Sequence, residues 1–410
     1  MELTASELDA SGSRRKGAVV ALCFAIAALE GYDLQTLGVA APALSQELHV
    51  ATPLIGFASS AMMAAMGVGA VFGGWLADRI GARIVLVSSI LLFGLASGLT
   101  VWTVRDAGML VFVRALTGLG VGGAMPNLIA IAADAHPERS RATAVSRLSA
   151  GLPAGAAACA LLDRLTAATL DWPILFVVGG LAVLPAAPFV WVLTPGRPRP
   201  LSPGPDRLDV VSQLFGEGRW ATTLLLWAGI GLTMFVLSTL TVWLPTLMIQ
   251  KGLSRADASV VTFIYMSIGL VSGLGIGGLI DRFGFSRPLT TTCLLMAAAM
   301  AVLAVSSGFT ALTVGAGLAG FACCSSQFGL YAIFPRYYRD EARTTGAGAG
   351  VAAGRVGSVL GPGICGLMLG ARAGTGPVVE LLIPVALSAA LVVAALTIVK
   401  RRIDRASMPL

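Results

Sequence analysis

The stretch "LEGYDLQTLGVAAPAL" (residues 29–44) places Glu30 and Asp33 inside a segment that otherwise reads as lipid-buried. Upstream, "AVVALCFAIAAL" carries no charge between Lys16 and Glu30, and downstream none follows Asp33 until Glu47. The run from Gly17 to Ala43 is long enough to cross about 30 Å of hydrocarbon as a helix. Glu30 lies thirteen residues past Gly17, about 20 Å along that helix and so near the membrane midplane. Asp33 follows at i+3, on the same side. An ionised carboxylate at that depth costs at least about 2.5 kcal/mol on insertion scales. Two acids kept there at that expense point to function.

Composition agrees on the medium. Of 410 residues, 56% are hydrophobic and 12% charged, against about 25% charged in soluble domains. The mean hydropathy is +0.85. The 50 glycines suit helices that pack closely in lipid. The net charge of +7 is spread between apolar runs rather than gathered in one patch, which argues against a nucleic-acid partner. Six cysteines all fall inside apolar stretches, with no zinc spacing and no disulfide framework. Arg14, Arg15 and Lys16 before an apolar run imitate a signal peptide, but the run continues past Glu30, so it reads as a retained first membrane helix.

Walking outward, the apolar runs give twelve expected spans: 17–43, 54–76, 84–103, 108–133, 142–162, 172–194, 220–246, 257–280, 288–307, 310–334, 344–370 and 378–399. A Pro- and Gly-rich linker, 195–219, divides an N-terminal half, 1–194, from a C-terminal half, 220–410. With both termini placed in the cytoplasm, twenty Lys and Arg residues fall on the inner side and five (Arg105, Arg164, Lys251, Arg255, Arg372) on the outer, as the positive-inside rule requires. "GWLADRIGAR" (74–83) recurs as "GLIDRFGFSR" (278–287), and aligning Asp78 with Asp281 superposes Gly74 on Gly277, Leu76 on Leu279, Arg79 on Arg282 and Gly81 on Gly284. The offset is 203 residues, the mark of two six-helix halves related by a parallel repeat.

These stretches resemble the major facilitator superfamily, and within it the aromatic acid:proton symporters. Gly74, Leu76, Asp78, Arg79, Gly81 and Arg83 match the superfamily's first loop motif, with Ala82 departing from it at a position usually basic. "RALTGLGVGGAMPNLIAIAAD" (114–134) resembles its fourth-helix motif. "EGYD" (30–33) matches the subfamily's first-helix signature, with glutamate where aspartate is usual. "WLPTLM" (243–248) and "RTTGAGAGVAAGRVGSVLGP" (343–362) also look like that subfamily, and "SSQFGLYA" is closest in type to the 3-(3-hydroxyphenyl)propionate carriers. The resemblance implies an all-α membrane protein of twelve helices with both termini cytoplasmic. It implies a monomer of the bacterial inner membrane that imports an aromatic carboxylate with protons by alternating access.

Burial and a like-charged neighbour both disfavour ionisation, so one of Glu30 and Asp33 is expected to hold a proton near neutral pH. The structural alternative is that the two acids neutralise an arginine and pin two helices. Histidine relays are excluded, because His49 and His136 both fall in loops. Three arginines also lie within spans: Arg114, Arg147 and Arg355. Arg355 is eleven residues past Thr344, about 17 Å deep. It either binds the substrate carboxylate bidentately or pairs with Glu30 or Asp33. Gln327 and Tyr331 share a helix face and are assigned with Asn127 to the substrate. Asn127 and Arg114 are about 220° apart around their helix and so have different roles; Arg114 is assigned to structure or gating. Arg147, near its span's end, snorkels to the surface. Asp78, Arg79, Asp281 and Arg282 at the loop motifs are assigned to gating ion pairs.

"GLGVGG" (118–123) and "GLGIGG" (273–278) fit the dinucleotide fingerprint, but they lie within membrane spans, where close helix packing explains them. No catalytic, cofactor or metal motif is present, and an enzyme is not expected. The alternatives kept open are a drug:proton antiporter exporting lipophilic compounds and, more remotely, a ligand sensor. The first usually carries a glycine–proline pair in the fifth helix, where Leu152 separates Gly151 from Pro153 here.

Overall fold

The computed structural model describes residues 5–47, 49–103, 107–134, 147–167, 172–194, 215–216, 220–333, 337, 343–371 and 374–406. Among them the chain is helical, with no strand. The helices are α1 (Ala5–Glu47), α2 (Thr52–Ile80), α3 (Ala82–Thr103), α4 (Ala107–Asp134), α5 (Gly151–Thr166), α6 (Pro173–Leu193), α7 (Trp220–Gln250), α8 (Arg255–Phe283), α9 (Ser286–Val305), α10 (Phe309–Ile333), α11 (Arg343–Gly370) and α12 (Thr375–Ala406). Each expected span has its helix. The fifth is seen in part, since residues 142–146 lie outside the described set. Eleven of the described helices are long and apolar enough to cross a membrane. Of the linker, only residues 215 and 216 are described, and Arg105, Arg139, Arg141, Arg336, Arg339 and Arg372 also lie outside the described residues.

Local chemistry sets the ends and breaks. Ser254 caps α8 by accepting from the Asp257 backbone N–H at 3.1 Å. α6 is broken between Pro173–Leu181 and Ala186–Leu193. Pro185 cannot donate there, and the chain passes the break through tight turns, Leu184 N to Leu181 O (3.2 Å) and Ala186 N to Val183 O (2.9 Å). The repeat is visible in the backbone: Gly81 (φ 98°) and Gly284 (φ 75°), aligned in sequence, both turn the chain with a left-handed φ that side chains resist.

The chain forms two compact units. One holds Met1–Ala40, Ala61–Leu162 and Ala168–Ser202; the other holds Ala41–Ser60, Asp163–Ala167 and Pro203–Leu410. In the first unit, α1 meets α5 so closely that a side chain on Gly155 would overlap the Ala28 carbonyl, and one on Gly31 the Leu152 carbonyl. α2 and α4 meet the same way, Gly118 against Met62 and Gly122 against Met66. In the second unit, Gly357 of α11 lies against Gly231 of α7, and Gly320 of α10 against Tyr265 of α8. Gly231 and Tyr265 stand 203 residues after Ala28 and Met62, so the sequence repeat is also a repeat of helix contacts. Such small-residue contacts drive association where lipid removes the hydrophobic force between helices. The faces turned outward bear bare apolar side chains, among them Phe72, Val192, Val305 and Leu391, the surface that hydrocarbon accepts.

Candidate functional site

Within the first unit, α1 carries Glu30 and Asp33 into a fully closed interior, and neither has any exposed surface. Gly31 between them lets α1 lie on the backbone of α5 at Leu152. The neighbouring Tyr32 packs its ring against Gly179 of α6, where any side chain would come within 2.9 Å of it.

The two acids are not equivalent. Asp33 Oδ1 accepts from Ser97 Oγ, and Asp33 Oδ2 from Arg114 Nη1 at 3.4 Å. Arg114 Nη2 in turn donates to Ser97 Oγ (3.2 Å) and Thr100 Oγ1 (3.0 Å). Its guanidinium stands over the Phe176 ring, 5.0 Å from carbon to centroid, a favourable seat for a desolvated cation. Three helices and α6 thus build one buried, charge-balanced network. Glu30, one turn away on α1, has no hydrogen bond to either carboxyl oxygen among the described residues. A carboxylate fully ionised and unpartnered in such a place is very costly.

Arg114, assigned from the sequence to structure or gating, lies beside Asp33. Ser97 and Thr100 were not singled out. Their signal was two hydroxyls at i and i+3 in the apolar run of α3, one turn apart and therefore on one face. Asn127, 3% exposed, donates from Nδ2 to the Gly123 carbonyl of its own helix at 2.7 Å. This back-bond satisfies the buried amide within its own helix. Arg147 is exposed.

In the second unit, α10 and α11 bring three of the assigned residues together. Tyr331 hydrogen-bonds Gln327, and Arg355 lies near enough to act electrostatically on the Tyr331 hydroxyl. All three are half-buried. Arg355 forms no ion pair among the described residues. A half-buried guanidinium beside a phenol and an amide offers the donors that a carboxylate on an aromatic ring would need.

The loop-motif residues Asp78, Arg79, Asp281 and Arg282 are exposed at the ends of α2 and α8. Arg79 lies over the Trp75 ring (4.0 Å) and Arg282 over Phe283 (5.3 Å). Arg83 stands over Trp191 (5.1 Å) and donates from Nε to the Thr194 carbonyl at 3.0 Å, tying the start of α3 to the end of α6. All six cysteines are buried thiols in no disulfide, small residues of the helix core.

Comparison with known proteins is consistent along the chain. The family model described as Major Facilitator Superfamily matches residues 23–311 and again 226–407. The chain is 36% identical over 369 residues to the 3-(3-hydroxy-phenyl)propionate transporter of Escherichia coli (strain K12), covering 89% of this chain and 90% of that one. It is 30% identical over 385 residues to a 4-hydroxybenzoate transporter of Pseudomonas aeruginosa, covering 86% of each. Among solved structures, the fold is similar to that of a D-xylose-proton symporter, with a TM-score of 0.76, 18% identity, and coverage of 92% of this chain and 96% of that one.

Proposed function

Because the chain belongs to the major facilitator superfamily and is therefore a transporter rather than an enzyme, we propose that it imports aromatic carboxylates together with protons by alternating access. The observation that carries the proton part is the inequality of the two buried acids: Asp33 is balanced by Arg114, while Glu30 has no hydrogen bond among the described residues. In this reading Glu30 is the group that takes up and gives off the proton. Asp33, within reach of the same turn of α1, passes the change in charge to Arg114, Ser97 and Thr100. A proton arriving at Asp33 would release Arg114 from its ion pair, and its loss would restore the pair.

Arg355, Tyr331 and Gln327 hold the anion. The support for an aromatic acid is the identity of the relatives, carriers of hydroxyphenylpropionate and hydroxybenzoate, together with a cation, a phenol and an amide gathered on α10 and α11. Asp78, Arg79, Asp281 and Arg282 act as gating residues on the cytoplasmic side of a multi-pass monomer in the bacterial inner membrane, with both termini cytoplasmic. A monoanion entering with one proton moves no net charge, so the pH gradient alone drives it. A second proton would add about 2.3 kcal/mol per 100 mV.

The test is uptake by purified protein in liposomes with the outside acid, using labelled benzoate, 4-hydroxybenzoate and 3-(3-hydroxyphenyl)propionate. Passive entry is subtracted with empty liposomes. Protein-dependent accumulation of at least one acid, collapsed by a protonophore, is expected. No accumulation, with proton-dependent extrusion of lipophilic cations instead, would turn the reading to efflux.

A further inference from the structure

Asp163 is a third buried acid, one that the proton and substrate sites leave unused. It lies in the last turn of α5, and its side chain is 1% exposed. Its carboxylate is fully engaged: Oδ1 accepts from Arg255 Nη2 at 2.6 Å and from Nε at 3.2 Å, and Oδ2 from Ser259 Oγ. Arg255 opens α8, where a cation faces the positive end of the helix dipole. Asp163 offsets both, since a carboxylate is favoured at that end. Arg255 is still 27% exposed, so water can replace its lost bonds when the pair parts.

The unit that contains α8 also takes in Asp163–Ala167 and Ala41–Ser60, while the rest of α1, α2 and α5 packs in the other unit. The two segments are held there by different means. Ala41–Ser60 is seated mainly by small-residue contact. A side chain on Gly366 of α11 would come within about 3.0 Å of Gly56 and the Trp243 ring, and a directed bond runs from Ser60 Oγ to the Val359 carbonyl at 2.6 Å. The end of α5 is held by the ion pair.

We propose that Asp163, Arg255 and Ser259 form a latch that holds the end of α5 on α8 in one state of the transporter and opens in the other. The latch rests on the transport reading and adds to it the residues that stabilise one of its two states. Both partners sit at span ends on the side expected to face outside the cell, so the latched state is the one closed to the exterior.

Two measurements test it. Ser259 is 2% exposed, so Ser259→Cys should react slowly with a membrane-impermeant thiol reagent added outside, over a background kept low by six buried native cysteines. Adding Asp163→Asn should raise that labelling rate about two- to fivefold, the shift expected from losing a partly exposed ion pair. This readout needs no substrate, so it stands even where every aromatic acid fails to be transported. An unchanged rate would overturn the latch. In the second measurement, Asp163→Cys with Ser259→Cys is joined in liposomes by a short bis-methanethiosulfonate, which links the two thiols through reducible disulfides. Uptake should stop and return with reductant, while substrate binding persists, and the single variants treated alike should keep uptake. Uptake undiminished by the cross-link, or binding lost along with it, would overturn the proposal.

Discussion

Arg114 and Asp33 face each other 3.4 Å apart with no solvent-accessible surface on either side chain. A buried pair of this kind tolerates the loss of one partner badly, because the other charge is left uncompensated, at about 3–5 kcal/mol. Asp33→Asn should therefore lower the unfolding temperature in detergent and abolish transport. Glu30→Gln should abolish proton-driven accumulation with little change in unfolding temperature, since the carboxyl it replaces makes no hydrogen bond among the described residues. Equal destabilisation by both variants would contradict the division of roles.

Arg355→Ala should weaken binding of the acid about tenfold or more, the loss of a charge-assisted hydrogen bond. A neutral analogue, such as the corresponding amide, should lose much less. Isothermal titration of both ligands decides it, and equal losses would make Arg355 a structural residue.

Glycines at helix crossings should tolerate no side chain, whereas others should. Gly118→Val and Gly320→Val drive a side chain into the backbone of Met62 and Tyr265; both should fail to yield folded protein in size-exclusion chromatography. Gly74→Ala and Gly277→Ala, with nothing within 4 Å of the new methyl group, should yield it normally.

These relationships differ in how far the sequence discloses them. The spans were legible because hydropathy over some twenty residues is a property of the segment itself; α7, expected at 220–246, runs Trp220–Gln250. The repeat was legible because Gly81 and Gly284 need the same backbone. Glu30 and Asp33 stood out because a charge in lipid is rare. Their partners did not. Lipid and helix core are both apolar, so hydropathy cannot say which face of α3 or α4 turns inward, and Ser97 and Thr100 are ordinary in an unaligned sequence. Asp163 escaped for a related reason: it follows the expected fifth span directly and reads as a loop residue until Arg255, 92 positions later, closes on it.

Proton movement with substrate tests the central claim most directly. Liposomes holding the protein and a trapped pH-sensitive dye, with no initial pH gradient, receive 3-(3-hydroxyphenyl)propionate outside, and leakage of the protonated acid is subtracted with protein-free liposomes. The account predicts protein-dependent acidification of the lumen that is lost in Glu30→Gln. Substrate entry without acidification, or acidification by Glu30→Gln at the unmodified protein's rate, would contradict it.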